Sequence, residues 1–211
     1  MWTERFSETP LLGILRGLRP EEVEPVVELS VRCGLAALEV TLNTDGALDL
    51  ISRMKAAAGD RLQIGAGTVL SRDAMLGALG AGAEFVVSPV FVPGISEECR
   101  KRGIPNFPGA FTPQEIFAAW NAGAEMVKVF PAGALGPSYI SDVQGPFRDI
   151  PLMAVGGVNE GNVGEFFRRG VSGVACGASV FRREWLGAGD FAAVESALAK
   201  LADATRKAAR G

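Results

Sequence analysis

The chain has 211 residues, a net charge of −3 and a composition that is 48% hydrophobic and 21% charged. This composition is typical of an ordinary globular protein and lacks the basic character of a nucleic-acid-binding domain. No apolar stretch approaches the roughly 20 residues that cross a bilayer, so we expect neither a membrane nor a nucleic-acid partner. A chain of this length can bury a substantial core, and we expect one domain spanning residues 1–211.

The cysteines and the first ten residues bear on the cellular compartment. Cys33, Cys99 and Cys176 form an odd set without the spacing of a metal site. The start MWTERFSETP lacks the charged-then-apolar layout of a signal peptide. We therefore expect a cytoplasmic protein.

Short apolar runs alternate with amphipathic stretches along the chain, a pattern that predicts parallel strands joined by helical crossovers. Eight strands are predicted, near Leu11–Leu15, Ala36–Thr41, Leu62–Ala66, Glu84–Ser88, Ile104–Phe107, Met126–Phe130, Pro151–Val155 and Gly173–Cys176. Helices are predicted to start near Pro20, Asp45, Ser71, Ser96, Thr112, Ser138 and Asn159, with a last one from about Asp190 to Ala209. Eight strand–helix units favour a single-domain TIM (β/α)8 barrel over an open doubly wound sheet, since no G-x-G-x-x-G follows the first strand.

Two prolines test these helix boundaries. Thr112, Pro113 and Glu115 form a capping box with proline at the first helical position, which predicts a helix start there. Pro25 falls inside the first predicted helix, and it should kink that helix unless the helix begins late.

Lys128 lies inside the apolar run Met126 to Pro131, where a buried strand ordinarily carries valine or isoleucine. The similar segment that begins at Ala81 has Val87 at the matching position. A buried ammonium must be paired, reach a wet cleft, or lose its proton and become a nucleophilic amine. The alternative is a lysine at a strand end whose stem packs while its head reaches water.

Other unusual polar residues follow or interrupt predicted strands. Arg16 ends the first, Glu39 lies in the second, Thr68 follows the third and Lys128 lies in the sixth, so all belong near one mouth of the barrel. A buried ion pair is a costly stabilising device because desolvation offsets most of the attraction. Catalysis explains a buried carboxyl and amine better than a core ion pair does.

Glycine-rich turns follow the last two predicted strands. Gly156 and Gly157 end the seventh, and Gly177 and Ser179 follow the eighth. Loops at these positions of a barrel commonly bind phosphate through exposed backbone N–H groups, which makes a phosphorylated substrate plausible. Either pair alone would more often be an ordinary tight turn than a ligand-binding turn.

Six blocks carry a resemblance to a known family: GILRG, LEVTLN, IGAGTVL, VVSPVF, VKVFPAG and AVGGV. Their order and spacing resemble the KDPG and KHG aldolases, class I aldolases that release pyruvate from 2-keto-3-deoxy-6-phospho sugar acids, from about Leu11 to Phe181. The resemblance implies a Schiff-base lysine at Lys128, a general acid/base at Glu39, a homotrimer, no cofactor and no metal. It also implies a phosphate site at Gly156, Gly157 and Ser179.

Asn43 and Val155 depart from the gluconate-type pattern, which often has arginine and threonine at these positions. Together with Arg16 and residues 134–140 they resemble the phosphogalactonate-type aldolases. With Asn43 uncharged, Arg16 becomes the better clamp for the substrate carboxylate. The expected substrate-binding residues are Arg16, Asn43, Thr68, Pro89, Phe130, Val155, Gly156, Gly157, Gly177 and Ser179.

Four alternatives stay open from the residues. The substrate could be 4-hydroxy-2-oxoglutarate, giving pyruvate and glyoxylate. A magnesium site built from carboxylates is possible, although the chain has no histidine for zinc or iron. Glu39 could instead serve an isomerase or epimerase that forms no covalent adduct. The protein could also be a non-catalytic barrel that binds a sugar phosphate without turnover, which is the alternative that is not an enzyme.

Overall fold

The computed structural model describes residues 2–211, and the side chains of residues 5–211. The predicted domain span includes Met1, which lies outside the described residues. Nine strands form one parallel sheet: β1 (Leu11–Leu15), β2 (Ala37–Thr41), β3 (Gln63–Gly67), β4 (Val86–Val87), β5 (Asn106–Phe107), β6 (Gly109–Ala110), β7 (Val127–Val129), β8 (Leu152–Val155) and β9 (Gly173–Cys176).

The sheet closes into a barrel through its two end strands. The strand order is β5-β4-β3-β2-β1-β9-β8-β7-β6, and the end strands β5 and β6 are separated in sequence only by Pro108. Proline has no N–H to donate to a ladder, so the fifth strand of the barrel is interrupted there: β5 falls within the predicted strand Ile104–Phe107, and β6 lies beyond its predicted end. The (β/α)8 barrel is confirmed, and the ninth strand arises from this interruption rather than from an additional strand–helix unit.

The helices pack outside the barrel, preceded by one helix that leads into β1. Within the described residues they are α1 (Trp2–Glu8), α2 (Val23–Arg32), α3 (Ala47–Ala58), α4 (Arg72–Gly80), α5 (Pro93–Arg102), α6 (Pro113–Asn121), α7 (Ala132–Leu135), α8 (Pro137–Gln144), α9 (Val163–Arg168), α10 (Arg183–Gly187) and α11 (Phe191–Arg210), with a 3-10 turn at Pro20–Glu22. The sequence did not predict α1, α7 or α10. None of the described helices has the length and apolarity needed to cross a membrane.

Several helix starts match the sequence and others do not. The Thr112 N–H donates to the Glu115 carboxylate at 2.8 Å and the Glu115 N–H to the Thr112 hydroxyl at 3.3 Å, which confirms the capping box. Because α2 begins at Val23, Pro25 falls in its first turn, where the missing N–H has no helical partner to lose.

Two predicted starts were wrong. Helix α5 begins at Pro93 rather than Ser96, and the Ser96 hydroxyl instead accepts a 2.8 Å hydrogen bond from buried Asn106. Helix α9 begins at Val163 rather than Asn159, because Asn159 belongs to a turn in which its N–H donates to the Asn162 side chain.

The core has two layers, as the alternation of side chains along each strand requires. The outer layer lies between the sheet and the helices. The inner layer fills the barrel, and its largest members include Phe85 and Phe107, whose rings meet edge to face with centroids 5.9 Å apart. A Cβ at Gly65 would lie 2.3 Å from the Phe85 ring, so only glycine leaves room for this packing. The barrel below its mouth is therefore solid.

Candidate active site

Strand alternation places Lys128 inside the barrel. Its neighbours Val127 and Val129 belong to the outer core layer, whereas Met126, two residues before it, belongs to the inner layer. Side chains two apart share one face of a strand, so the lysine projects inward with Met126. The Lys128 side chain is therefore in the barrel and not among the helices, and the residue is only 6% exposed.

The same alternation directs Glu39 inward. Leu38 and Val40 face the outer layer and Ala37 faces the inner one, so Glu39 shares the inner face with Ala37. Its partner in the β2–β3 register is Gly65, and a Cβ at Gly67, the next inward position on β3, would lie 2.4 Å from Glu39 Oε1. The glycines of β3 therefore make the space that the carboxyl group occupies.

Burial dominates the electrostatics of Glu39. The residue is 1% exposed, and its Oε2 has no hydrogen-bond partner among the described residues. Burial raises the pKa of Glu39 to about 7, against the opposing effects of the positive charges of Lys128 and Arg16. A carboxyl group with this pKa can both donate and accept a proton near neutral pH.

The amine of Lys128 is shifted in the opposite direction. Burial lowers its pKa, nearby Glu39 acts against that shift, and the charge of Arg16 adds to it. The Nζ atom lies 5.1 Å from the centroid of the Phe130 ring. A lysine with a lowered pKa has a larger fraction of neutral amine, which is the nucleophilic form.

A cavity of about 570 Å³ opens at the carboxyl ends of the strands and contains this pair. Asn43 is exposed and does not line it. The other eleven predicted site residues do: Arg16, Glu39, Thr68, Pro89, Lys128, Phe130, Val155, Gly156, Gly157, Gly177 and Ser179. The structure thus brings together the strand-end residues and the glycine turns that were proposed separately from the sequence.

The turn after β8 is packed tightly. Gly156 and Gly157 have φ of 88° and 80°, a left-handed conformation that favours glycine. The Gly133 N–H donates to the Gly156 carbonyl at 2.8 Å, and a Cβ on Gly157 would lie 3.0 Å from Gly133 Cα. The Ser179 hydroxyl donates to the Val158 carbonyl at 3.1 Å and links the turns after β8 and β9.

Thr68 has an unusual backbone. Among the described residues other than glycine, it alone has a positive φ, at 57°. A β-branched residue rarely adopts this conformation, and such strain is concentrated at binding and active sites. Because Thr68 lines the cavity directly after β3, its strained backbone supports a role in holding a ligand.

The cavity also has lining residues that were not among the predicted ones: Ile14, Val158, Asn159, Ala175, Ala178, Phe181 and Arg183. Ile14 and Ala175 are on β1 and β9, whereas Val158, Ala178 and Phe181 lie in the loops after β8 and β9. Arg183 had no signal in the sequence, because its position depends on Glu22, 161 residues earlier in the chain. No group of three or more His, Cys, Asp or Glu in the described part of the chain could hold a metal ion.

The sequence and the fold are both similar to those of known aldolases. The family model described as KDPG and KHG aldolase matches residues 3–197. The chain is 37% identical over 176 residues, 83% of each chain, to a probable 2-dehydro-3-deoxy-6-phosphogalactonate aldolase of Rhizobium meliloti (strain 1021). It is 34% identical to a 2-dehydro-3-deoxy-phosphogluconate aldolase of Treponema pallidum (strain Nichols), over 90% of this chain and 91% of that one. The solved structure described as native KDPGal superposes with a TM-score of 0.90 and 30% identity, over 96% of this chain and 97% of that one.

Proposed function

The chain belongs to the KDPG and KHG aldolase family, and we propose that it is a class I aldolase, a lyase, that cleaves a 2-keto-3-deoxy-6-phospho sugar acid reversibly to pyruvate and glyceraldehyde 3-phosphate. One observation carries the proposal: a lysine with a lowered pKa and a glutamate with a raised pKa project into the same barrel mouth. Paired groups with opposite shifts suit an enzyme that needs a free amine and a proton carrier together.

The first half of the reaction forms a covalent bond at Lys128. Its neutral Nζ attacks the C2 carbonyl, and a proton passes from that nitrogen to the carbonyl oxygen to give a neutral carbinolamine. Glu39 donates a proton to the departing hydroxyl group, which leaves as water, and an iminium remains at C2. Proton transfer by a positioned carboxyl group typically contributes about 10² to 10⁴-fold to such steps.

Cleavage uses the iminium as the electron acceptor. The Glu39 carboxylate takes the proton of the C4 hydroxyl, the C4 aldehyde forms, and the electrons of the C3–C4 bond pass into an enamine. Glu39 then returns the proton to C3, and water releases pyruvate and regenerates the amine. A barrel interior that is solid below the pair excludes other water from the enamine.

The remaining lining residues receive the two ends of the substrate. The charge of Arg16 affects the pKa of both Glu39 and Lys128, so its guanidinium is close to the reacting groups. This position suits Arg16 to hold the C1 carboxylate, with Thr68 as a second donor. Pro89, Phe130 and Val155 wall the chain of carbon atoms. The phosphate is assigned to the turns after β8 and β9, with Gly156, Gly157, Gly177 and Ser179. Asn43 receives no role, since it does not line the cavity.

The first candidate substrate that we propose is 2-keto-3-deoxy-6-phosphogalactonate. Two relatives support it, one named a probable 2-dehydro-3-deoxy-6-phosphogalactonate aldolase at 37% identity and one named 2-dehydro-3-deoxy-6-phosphogalactonate aldolase at 33%, as does the apolar Val155 in the cavity lining. The second candidate is 4-hydroxy-2-oxoglutarate, because a relative named KHG/KDPG aldolase is 28% identical. Pyruvate release is followed with lactate dehydrogenase and NADH in the presence of EDTA. The substrates compared are 2-keto-3-deoxy-6-phosphogalactonate, 2-keto-3-deoxy-6-phosphogluconate and 4-hydroxy-2-oxoglutarate. If none of the three releases pyruvate, the proposed function is rejected.

A homotrimer is proposed as the assembly. Val90 and Phe111, which follow β4 and β6 at the mouth of the barrel and line one shared surface depression, are 52% and 44% exposed, and Phe117 on α6 is 46% exposed. Residues of this kind on a monomer mark surfaces that contact another protein. Light scattering after gel filtration is expected to give three times the mass of the chain; a monomer would contradict this proposal.

We further propose a cytoplasmic location, which the three free, buried cysteines support.

A further inference from the structure

Arg183 contributes a fixed positive charge to the cavity mouth. Its Nη1 and Nη2 donate to the two carboxylate oxygens of Glu22 at 2.7 and 2.9 Å. The Glu22 side chain is 3% exposed and that of Arg183 is 37% exposed. The Arg19 N–H donates to the same carboxylate at 2.8 Å. A buried acid therefore holds an accessible guanidinium in one orientation.

The guanidinium keeps donors for a ligand. It has five N–H groups, of which Glu22 accepts two, and no other described residue accepts from it. A Cβ on Gly17 would lie 3.8 Å from Arg183 Cδ, so the side chain passes along the turn after β1. Strand β1 is paired with β9, and Arg183 is the first residue of α10, four residues beyond Ser179 and directly after the loop that follows β9. Arg183 is thus on the side of the mouth to which the phosphate turns belong.

The cavity has three cationic lining residues, and one of them is not yet assigned to a group of the substrate. Its cationic lining residues are Arg16, Lys128 and Arg183. Arg16 alters the pKa of both Glu39 and Lys128, whereas Arg183 is not among the charges that alter either. Lys128 is consumed in the covalent bond and Arg16 is taken by the carboxylate. A phosphate group with a charge of about −1.5 to −2 then has Arg183 as the remaining lining cation.

We propose that Arg183, oriented by Glu22, determines specificity for substrates that carry a terminal phosphate over the same keto acids without it. This inference rests on the proposed function and deepens it at the end of the substrate far from Lys128. Glu22 is a positioning residue, because it acts through the guanidinium and does not itself line the cavity. A planar fork held at one edge presents its other donors to a phosphate with little loss of side-chain entropy.

The test compares cleavage of 2-keto-3-deoxy-6-phosphogalactonate with that of its unphosphorylated counterpart. Arg183→Gln is expected to lower kcat/KM for the phosphorylated acid by about 10- to 100-fold, the worth of charge-assisted hydrogen bonds, while the unphosphorylated acid is cleaved as before. The double variant Glu22→Gln/Arg183→Gln leaves no unpaired buried carboxylate and is expected to show the same selective loss. It keeps the test decisive if the single variant folds poorly.

Arg182→Gln is the matched control. It removes the same charge one residue away, but Arg182 stacks on Trp185, 4.6 Å from the ring centroid, and does not line this cavity. The ratio of the two kcat/KM values should stay unchanged in this variant. An equal loss for both substrates in the Arg183 variants, or the same selective loss in Arg182→Gln, would overturn the assignment.

Inorganic phosphate separates this inference from the proposed function. Its dissociation constant, measured by calorimetry, is expected to rise by about 10-fold or more in both Arg183 variants and to stay constant in Arg182→Gln. This comparison needs no turnover, so it still tests Arg183 if the wild-type protein cleaves neither acid. Unchanged phosphate affinity in the double variant would refute the role of Arg183, and absent cleavage would refute the proposed function alone.

Discussion

Replacing Glu39 by glutamine should remove a pH-dependent loss of stability from the protein. The pKa of this carboxyl group is raised from 4.5 to about 7 in the folded chain, mainly by burial. Between these values the folded state binds more protons than the unfolded state, so the free energy of unfolding falls as the pH rises through this window. A shift of this size, at about 1.4 kcal/mol per unit, corresponds to about 3 kcal/mol.

The assay is urea unfolding at about pH 5 and about pH 8, at one protein concentration, for wild type and Glu39→Gln. The quantity of interest is the difference between the two pH values, because any fixed cost of burying the amide then cancels. The variant is expected to gain about 2.5 kcal/mol relative to wild type on going from the lower to the higher pH, because about pH 5 already lies inside the window. Equal pH dependence in both proteins would refute the raised pKa.

Glu22 provides a control of opposite sign. Burial raises its pKa, but the Arg183 and Arg19 hydrogen bonds outweigh burial and the net pKa is lowered. Its stabilising contribution is complete above the unfolded pKa of 4.5 and is lost only as the pH falls below that value. Glu22→Gln should therefore destabilise the protein about equally at both pH values.

Three further substitutions test neighbouring parts of the site. Gly67→Ala places a Cβ 2.4 Å from Glu39 Oε1 and should lower kcat by about 10- to 100-fold. Gly80→Ala is the control, because a Cβ there meets open space, and it should leave kcat unchanged. Equal activity of the two variants would contradict the close fit of Gly67 against Glu39. Thr68→Gly relieves a left-handed backbone and should raise KM without lowering the melting temperature, an expectation that a clear fall in thermal stability would defeat. Lys128→Met should abolish cleavage and leave the protein at least as stable by urea unfolding, since a buried amine is replaced by an apolar chain of similar length; measurable turnover would exclude an essential amine.

Much of the barrel could be predicted because its local patterns agree with one another. Apolar runs alternate with amphipathic ones, and the Thr112 capping box defines a helix start without help from the rest of the chain. Pro108 interrupts the fifth strand of the barrel. The interruption becomes visible only in the folded chain, where β5 pairs with β4 and β6 pairs with β7. The hydrogen bond that Ser96 accepts comes from Asn106 on another element, so the local sequence does not show that α5 begins before Ser96.

The site was predictable to the extent that residues violated their local context. Lys128 and Glu39 interrupt apolar strands, and such interruptions are visible in a single sequence. The space for Glu39 depends on Gly67 of the adjacent strand, and the position of Arg183 depends on Glu22 in another loop. Cross-strand spacing and long-range ion pairs have no local pattern, so only the folded chain reveals them.

Reductive trapping tests directly whether Lys128 forms a covalent bond with the substrate. The protein is incubated with pyruvate and borohydride, digested, and its peptides are mapped by mass spectrometry. We expect loss of activity together with a reduced pyruvate adduct on Lys128, and no adduct in Lys128→Met. An unmodified Lys128 in a protein that still releases pyruvate, or an adduct on a different lysine, would contradict this expectation.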